Sequence, residues 1–373
     1  MIRIAIAAPK AILFRTLGSP KSLPFNLTIS LTYNCNSRCR TCNIWRMKKE
    51  RAELSLEEYE RIFRNLGSSV FWVTLSGGEP FLRKDIVEIA KSLYKNCHPK
   101  IINIPTNGLL GEIIAEKSQQ IALACPKSEI VVNLSLDGVG TKHDEIRGIP
   151  GNFDRAMTTY SHLRKINLPN LSLGVHSVIS KLNHEDIPEL CDFVLDELKP
   201  DSYISEVAER RVELGTTESD ITPSAEDYAK AVDYIAKRTS AYKKISADKT
   251  TKTKNISRFT RAFRLGYYGF AKDALALPLG KAKQPIPCYS GFASGQISPE
   301  GDVWGCCIRA EPLGNLRENG ADYELKKIWF SARADGFRTS VKKGVCSCPL
   351  ANSYYTSSVC DPVSVAKVVT KLL

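Results

Sequence analysis

Long apolar runs and a secretory signal are both missing from this chain of 373 residues. No window approaches eighteen uninterrupted apolar residues, which argues against a helix that crosses a membrane. The apolar core of residues 1–10 is too short for a secretory signal. The hydrophobic content of 43% and the charged content of 25% are typical of a soluble globular protein. We therefore expect a cytoplasmic protein with enough chain for two domains or one large one.

The chain also lacks the character of a small disulfide-stabilised protein, although it contains twelve cysteines. It is too long and too regular for that class, and clustered cysteines in a reducing compartment more often bind metal or do redox chemistry. Cys35, Cys39 and Cys42 form a C-x3-C-x2-C motif directly after the alternating apolar run 25–31. Thiolates are soft ligands that suit iron–sulfur clusters and zinc. The motif offers only three local ligands, so a bound metal would keep an open position, as catalytic sites do; a structural metal is the alternative.

Short apolar runs alternate with helical patterns between residues 25 and 207. Some helical patterns begin with a capping signal, such as Ser55 before Glu57 and Glu58. This alternation predicts βαβ units and an α/β fold with a parallel sheet. Six units are too few for a closed eight-stranded barrel, so we predict a partial (β/α)6 TIM-like barrel with an open side. The predicted strands are 25–31, 70–75, 100–104, 130–136, 171–179 and 202–207, and the predicted helices lie near 55–66, 84–95, 111–123, 152–165 and 185–197.

Three turns follow consecutive predicted strands, where the active site of such a sheet is expected. They are Ser-Gly-Gly-Glu-Pro at 76–80, Pro-Thr-Asn-Gly at 105–108 and Ser-Leu-Asp-Gly at 135–138. Paired glycines carry no side chains, so backbone groups there can approach a ligand closely. Each turn alone is compatible with a plain loop. Together with the cysteine triplet, they indicate a site at this edge of the sheet.

The ordered combination of the cysteine triplet and Gly-Gly-Glu-Pro resembles the radical S-adenosylmethionine (SAM) enzymes, over roughly residues 20–210. The resemblance implies that Cys35, Cys39 and Cys42 hold a [4Fe–4S] cluster whose open iron binds the amino and carboxylate groups of SAM. In that family an electron from the cluster cleaves SAM to a 5′-deoxyadenosyl radical, which abstracts a hydrogen from the substrate. The resemblance also implies a reducing partner such as flavodoxin or ferredoxin.

The same resemblance implies a set of SAM contacts. The Gly-Gly-Glu segment would receive the methionine amino group, largely through backbone carbonyls, and two polar positions would touch the same cofactor. An arginine in the segment 143–148 is a further candidate, although it could simply pair with a carboxylate. One position departs from the family pattern, because Thr41 stands where an aromatic residue is usual, and altered packing near the adenine is expected. The implied contacts are Gly77, Gly78, Glu79, Thr106, Ser135 and Arg147.

The carboxyl-terminal third carries six further cysteines around a predicted hairpin at 297–306 and a predicted helix around Trp329. Two distant pairs of thiolates brought together in this way can close an iron–sulfur or a zinc site. The region resembles the SPASM/twitch extension of radical SAM enzymes, which holds auxiliary [4Fe–4S] clusters, and is closer to the one-cluster twitch form. The implied ligands are Cys288, Cys306, Cys346 and Cys348, with Cys360 or Cys307 as substitutes; Cys97, Cys125 and Cys191 are interpreted as small buried residues.

The net charge of +12 is concentrated between Lys237 and Lys283, where thirteen basic residues face two acidic ones. Apolar and basic residues there recur at helical spacing, which predicts a helix with an apolar and a cationic face. Such a helix could contact an anionic membrane or a phosphate-bearing substrate, or simply pack on the barrel. Nucleic acid is unlikely as a partner because no binding module accompanies the charge. The apolar positions are Ile256, Phe259, Phe263, Tyr267 and Phe270, the basic ones are Arg258, Arg261 and Arg264, and an amphipathic tail follows with Val365, Val368, Val369 and Leu372.

These patterns divide the chain into a lead-in at 1–20, a radical SAM partial barrel at 21–215, a basic connecting segment at 216–285 and an auxiliary cluster domain at 286–373. We expect a radical enzyme whose auxiliary cluster assists electron transfer and whose substrate is a small or lipid-linked anion, with peripheral membrane contact. A peptide- or protein-modifying maturase is the alternative, less favoured because about twenty residues precede the first strand. A zinc-binding scaffold and a nucleic-acid-binding protein are the alternative hypotheses in which the chain is not an enzyme.

Overall fold

A computed structural model describes residues 2–241, 251–277, 284–344, 346 and 348–370. The part of the chain that it describes forms one mixed sheet with helices packed along it. The strands are β1 Asn26–Ser30, β2 Trp72–Ser76, β3 Ile101–Thr106, β4 Glu129–Ser135, β5 Leu171–Ile179, β6 Ser202–Val207, β7 Ser294–Ile297, β8 Asp302–Trp304 and β9 Pro312–Asn315. The helices are α1 Ile2–Leu17, α2 Leu56–Leu66, α3 Ile86–Cys97, α4 Gly111–Ala124, α5 Thr141–Arg147, α6 Asn152–Arg164, α7 Ile187–Asp192, α8 Ala225–Ala241, α9 Thr251–Ala276, α10 Leu325–Trp329, α11 Ala332–Lys342, α12 Ala351–Val359 and α13 Pro362–Thr370.

The six predicted strands and the five predicted helices between them are confirmed, with bounds that shift by a few residues. The helix that follows β5 continues from α7 into a π-helical stretch, Phe193–Leu198. The Ser55 side chain accepts a hydrogen bond from the Glu58 amide at the start of α2, and the Glu58 carboxylate accepts one from the Ser55 amide, so the capping signal operates as expected. The helices without a predicted counterpart include α1 in the lead-in, α5 after β4, and α11 and α12 in the carboxyl-terminal third.

Strands β1 to β6 pair in parallel and in sequence order, and the two faces of this sheet differ in polarity. The face that carries Val73 and Ile102 is buried, as expected where helices cover a parallel sheet. The opposite face is polar. There Asn133 Nδ2 donates to Asn103 Oδ1 at 2.7 Å, and Asn103 Nδ2 donates to Thr74 Oγ1 at 3.4 Å. A parallel sheet with an apolar outer face and a polar inner face confirms the predicted partial barrel.

The sheet does not end at β1, because β7 pairs with it in parallel and β8 and β9 continue it antiparallel. The predicted hairpin is confirmed by the pairing of Ile297 with Val303, with Gly301 in its turn at φ +89°. The cysteine-rich third of the chain is therefore built directly onto the first barrel strand. Its cysteines are held in a fixed relation to the loop that follows β1.

The basic connecting segment contains α9, whose described apolar residues are buried as predicted. Tyr267 and Phe270 pack against Tyr355 and Tyr354 of α12, with ring centroids 5.8 Å and 5.0 Å apart. The prediction for Arg264 is wrong: this residue is only 7% exposed, so it does not belong to a solvent-facing cationic surface. Burial of Phe263 beside it likewise shows that this end of α9 packs inward. The side chains of Ile256, Arg258, Phe259 and Arg261 lie outside the described residues.

The tail forms α13, which packs against α9 and α12. Val363 and Val365 remain exposed, while the side chains of Val368, Val369 and Leu372 lie outside the described residues. Within the ranges that the structure describes, no helix is both long and apolar enough to cross a membrane. The interpretation of three cysteines as small buried residues is confirmed, since Cys97, Cys125 and Cys191 are all fully buried.

Candidate active site

The loop with the first three cysteines leaves β1 and is held against the Gly-Gly turn that follows β2. The Gly78 amide donates to Thr32 O at 2.7 Å, and the Glu79 amide donates to Asn34 O at 2.9 Å. Gly77 has φ +121°, and a Cβ atom there would lie 2.4 Å from Thr32 O. A Cβ atom on Gly78 would lie 2.1 Å from Asn34 O. The two glycines therefore leave room for the backbone of the cysteine loop. The sequence had suggested that this room serves the approach of a ligand.

Hydrogen-bond donors surround the sulfur atoms of this loop. The Ser37 amide donates to Cys35 Sγ at 3.5 Å, and Asn107 Nδ2 lies 3.8 Å from the same sulfur. Ser37 Oγ lies 3.3 Å and Arg147 Nη1 lies 3.8 Å from Cys39 Sγ. Donors to sulfur stabilise thiolate ligands and tune the potential of iron–sulfur clusters. Three soft ligands with such a donor set fit a cluster that is bound through three irons.

Burial raises the pKa of Cys35 to about 11 and the pKa of Cys42 to about 12. Both groups are therefore neutral thiols at physiological pH until a metal replaces their protons. Binding of a cluster must release those protons, and the donors around the sulfurs favour the resulting thiolates.

Arg147 is buried and pairs with Asp137, with 2.8 Å between Nη2 and Oδ2. Burial alone would lower the pKa of Arg147, but the carboxylate of Asp137 and the sulfur of Cys39 outweigh burial and raise it. The carbonyl oxygen of Arg147 also accepts bonds from the Arg38 amide at 3.0 Å and from Ser37 Oγ at 3.1 Å. Arg147 therefore positions the cysteine loop and places a positive charge beside Cys39.

Glu79 is almost fully buried, and its carboxylate is held by the turn that follows β3. Thr106 Oγ1 donates to Glu79 Oε1 at 2.9 Å, and the Asn107 amide donates to Oε2 at 2.8 Å. Burial raises the pKa of Glu79 to about 7, because these hydrogen bonds offset only part of the desolvation. Ser135 ends β4 on the polar inner face, next to His176 of β5. The structure thus brings the predicted residues to one edge of the sheet, with the Thr106 hydroxyl committed to Glu79.

The later cysteines form a second group. Burial raises the pKa of Cys348 well above its usual value, and Glu209, Cys288 and Cys346 raise it further, so these groups are close to one another. Cys288 Sγ accepts from the Ser290 amide at 3.5 Å. Within the described ranges, no three His, Cys, Asp or Glu side chains lie in an arrangement that could hold a single metal ion. Cysteine sulfurs that accept hydrogen bonds from N–H groups, as Cys288 does, are typical ligands of an iron–sulfur cluster.

Cys306 and Cys307 follow β8 and lie side by side, with Cys306 accepting from the Ile308 amide at 3.3 Å. Cys307 is buried, and the charges of Glu213 and Arg211 act on it. Burial alone raises the pKa of Cys360 to about 12, and Cys360 ends α12 near Tyr289. The structure therefore groups Cys288, Cys346 and Cys348 and places the Cys306–Cys307 pair at the end of β8. The choice of the fourth ligand stays a prediction.

Sequence reasoning missed a charged segment that follows β6, here called the bridging segment, residues 206–216. The Asn43 amide, next to Cys42, donates to Leu214 O at 2.9 Å, and the Glu213 amide donates to Cys307 O at 3.4 Å. One stretch of chain is thus hydrogen-bonded to both cysteine sites. The signal that could have found it is a run of charged residues directly after a buried strand, at the same edge as the three turns.

Two family models match the chain. The model of the radical SAM superfamily covers residues 29–194, and the model of the SPASM iron–sulfur cluster-binding domain covers residues 288–349. The first range contains Cys35, Cys39 and Cys42, and the second contains every predicted auxiliary ligand except the substitute Cys360.

Several known proteins are similar to this chain. The sporulation killing factor maturation protein SkfB of Bacillus subtilis is 30% identical over 46% of this chain and 39% of its own length. The mycofactocin maturase MftC of Mycolicibacterium smegmatis is 26% identical over 82% of this chain and 70% of its own length. The crystal structure of Streptococcus suis SuiB bound to precursor peptide SuiA shares the fold, with a TM-score of 0.59 at 18% identity, over 91% of this chain and 76% of SuiB. The chain spans less than half the length of the first curated relatives that it matches.

Proposed function

Since the chain carries a radical SAM domain followed by a SPASM-type iron–sulfur domain, we propose that it is a radical SAM enzyme that modifies a peptide or protein substrate. The observation that carries this proposal is that one sheet carries both cysteine sites, one in the loop after β1 and the other around the β7–β8 hairpin, and that both are hydrogen-bonded to the bridging segment. A reaction that starts at one site and exchanges an electron at the other needs this proximity.

Cys35, Cys39 and Cys42 would hold the SAM-binding [4Fe–4S] cluster, and Cys288, Cys346, Cys348 and either Cys306 or Cys307 would hold an auxiliary one. When bound, the first cluster would supply the electron that cleaves SAM, and this cleavage would provide the radical chemistry that removes a hydrogen from the substrate. Gly77 and Gly78 keep the first cysteine loop seated on the turn after β2. Arg147 and Ser37 fix that loop from the side of α5.

The SAM contacts implied by the family, Gly77, Gly78, Glu79, Thr106, Ser135 and Arg147, remain part of the proposal. Five of these are supported in a positioning role, because Glu79 and Thr106 hold each other, the two glycines hold the cysteine loop, and Arg147 fixes that loop from α5. Ser135 lies on the open inner face, where a ligand can reach it.

A peptide substrate is favoured over the small or lipid-linked anion that the sequence suggested. SkfB and MftC are maturation proteins by name, and the SuiB structure contains a precursor peptide. The polar inner face of the barrel offers side-chain donors and acceptors that a peptide can use. The cationic surface that favoured an anionic ligand is also reduced, because Arg264 is buried.

The test is 5′-deoxyadenosine release by anaerobically reconstituted, reduced protein with SAM. Fractions of a cell extract are added: the lipid fraction, the aqueous fraction, and the aqueous fraction after complete protease digestion. We expect stimulation by the aqueous fraction that is lost after digestion. Stimulation by the lipid fraction, or stimulation that survives digestion, would contradict a peptide substrate. Absence of release in every sample, with both clusters verified, would contradict the radical SAM activity itself.

A further inference from the structure

The bridging segment carries a buried ion pair with an uneven geometry. Arg211 Nε donates to Glu209 Oε2 at 2.9 Å, and Arg211 Nη2 lies 2.7 Å from the same oxygen. Glu209 Oε1 is buried and has no hydrogen-bond partner within the described ranges, and the side chain of Glu209 is only 4% exposed. A buried carboxylate oxygen without a donor is unfavourable, so this atom is suited to a donor that arrives with a ligand.

Other arginine–glutamate pairs in this chain satisfy both oxygens. Arg309 and Glu311 have the same two-residue spacing as Glu209 and Arg211, and their Nε and Nη2 atoms bind separate oxygens at 3.0 Å and 2.6 Å. Arg317 pairs with Glu58 in the same two-oxygen manner. A guanidinium fork ordinarily matches a carboxylate in this way. At Glu209 both guanidinium nitrogens of Arg211 contact the same oxygen, Oε2. The other oxygen, Oε1, is available to another donor.

Glu209 belongs to the segment that is hydrogen-bonded to both cysteine sites. Its charge acts on Cys348, and the same segment binds Asn43, next to Cys42, through Leu214 O. Glu213 accepts hydrogen bonds from Gln296 of β7 and from Ser30 Oγ of β1, the latter at 3.4 Å. The carboxylate of Glu209 therefore belongs to the stretch of chain that joins the two sites, which a substrate must approach to meet both of them.

The charged groups around Glu209 sum to a negative total. Glu206, Glu209 and Glu213 face Arg211, and His176 Nε2 lies 3.6 Å from Glu206 Oε1. Burial raises the pKa of Glu209 to about 7, so a cation beside it favours its ionised form. With Glu209 ionised, three carboxylates stand against one guanidinium, and thiolates of a bound auxiliary cluster add to this acidic surplus. An anion is repelled from such a place, whereas a cation is attracted and also donates hydrogen bonds. This local surplus is opposite in sign to the net charge of the chain.

We propose that Glu209 binds a cationic side chain of the substrate, a lysine ammonium or an arginine guanidinium, and so selects peptides that present one beside the residue to be modified. This inference rests on the proposed peptide substrate and adds its charge class. Arg211 is the positioning residue, because it fixes Oε2 and leaves Oε1 without a partner within the described ranges.

The test measures binding of N-acetyl-lysine amide and of its uncharged counterpart N-acetyl-norleucine amide to the cluster-loaded protein by saturation-transfer NMR. Saturating SAM is present throughout, so that any site for its own amino group is filled. The wild type is expected to bind the lysine compound at least tenfold more tightly than the norleucine compound. Glu209→Gln should lose that preference, and the matched control Glu311→Gln should keep it, with iron content confirming that each variant is loaded.

Equal binding of the two compounds by the wild type, or no binding of either, would overturn the inference without reference to any variant. A loaded Glu209→Gln protein that keeps the tenfold preference would overturn it as well. The proposed function is measured separately as protease-sensitive stimulation of 5′-deoxyadenosine release in the same preparations. A wild type that shows this stimulation without preference for lysine would refute the role of Glu209 and leave the peptide substrate standing.

Discussion

The contact between Gly78 and the cysteine loop makes a quantitative prediction for Gly78→Ala. The added Cβ would lie 2.1 Å from Asn34 O and 2.7 Å from Asn34 C, both of them backbone atoms that no rotamer change can move. The turn that contains Gly78 and the cysteine loop must separate by about 1 Å. Overpacking of this kind costs about 1–3 kcal/mol of folding free energy. Because Cys35 directly follows Asn34, the displacement falls on the first cluster site.

The assay is iron and sulfide content per chain after anaerobic reconstitution, followed by SAM cleavage. With two cluster sites expected, Gly78→Ala should retain about half of the iron of the wild type and lose SAM cleavage. Gly336→Ala is the matched control, because a Cβ there meets nothing within 4 Å on the exposed side of α11. That control should keep full iron and gain about 1 kcal/mol from helix propensity. A Gly78→Ala protein with full iron and normal SAM cleavage would refute the proposed seating of the loop.

Three further predictions concern other contacts. Cys35→Ala should abolish SAM cleavage while the iron of the auxiliary site remains, as measured by electron paramagnetic resonance; undiminished cleavage would refute the ligand assignment. Asp137→Asn leaves the buried Arg147 without its carboxylate and should cost about 3–5 kcal/mol in urea unfolding; a cost below the error of the method would contradict the pairing. Arg317 holds the pKa of Glu58 down at about 2, so their pair stabilises the fold above pH 4.5 and is lost as the pH falls toward 2. Glu58→Gln should therefore lower stability by about 1–2 kcal/mol at pH 7, and this difference should shrink in unfolding measured at pH 3.

The barrel could be predicted from the sequence because its signals are local. Alternating apolar residues at 171–179 predict a half-buried strand, and a serine with a glutamate three residues later predicts the start of α2. The cysteine spacing likewise lies within one loop. Each of these features is decided by residues that are neighbours in the chain.

The features that could not be predicted depend on contacts between distant residues. The pairing of Asn26 with Ser294 joins strands far apart in sequence, and no local pattern specifies that partner. The burial of Arg264 depends on how α9 packs against α12, although its helical spacing alone suggests a cationic surface. The space left by Gly78 is filled by Asn34, and a glycine in a turn does not reveal what approaches it. The uneven geometry of the Glu209–Arg211 pair is likewise not visible in the sequence, because the same two-residue spacing at Arg309 and Glu311 gives a pair in which both oxygens are bound.

The decisive measurement is 5′-deoxyadenosine formation from SAM by the reduced, cluster-loaded protein, compared with Cys35→Ala loaded in parallel. We expect release by the wild type, none by the variant, and auxiliary-site iron in both. Absence of release by a wild type with verified clusters, or equal release by the two proteins, would contradict the assignment of a radical SAM site to the loop after β1.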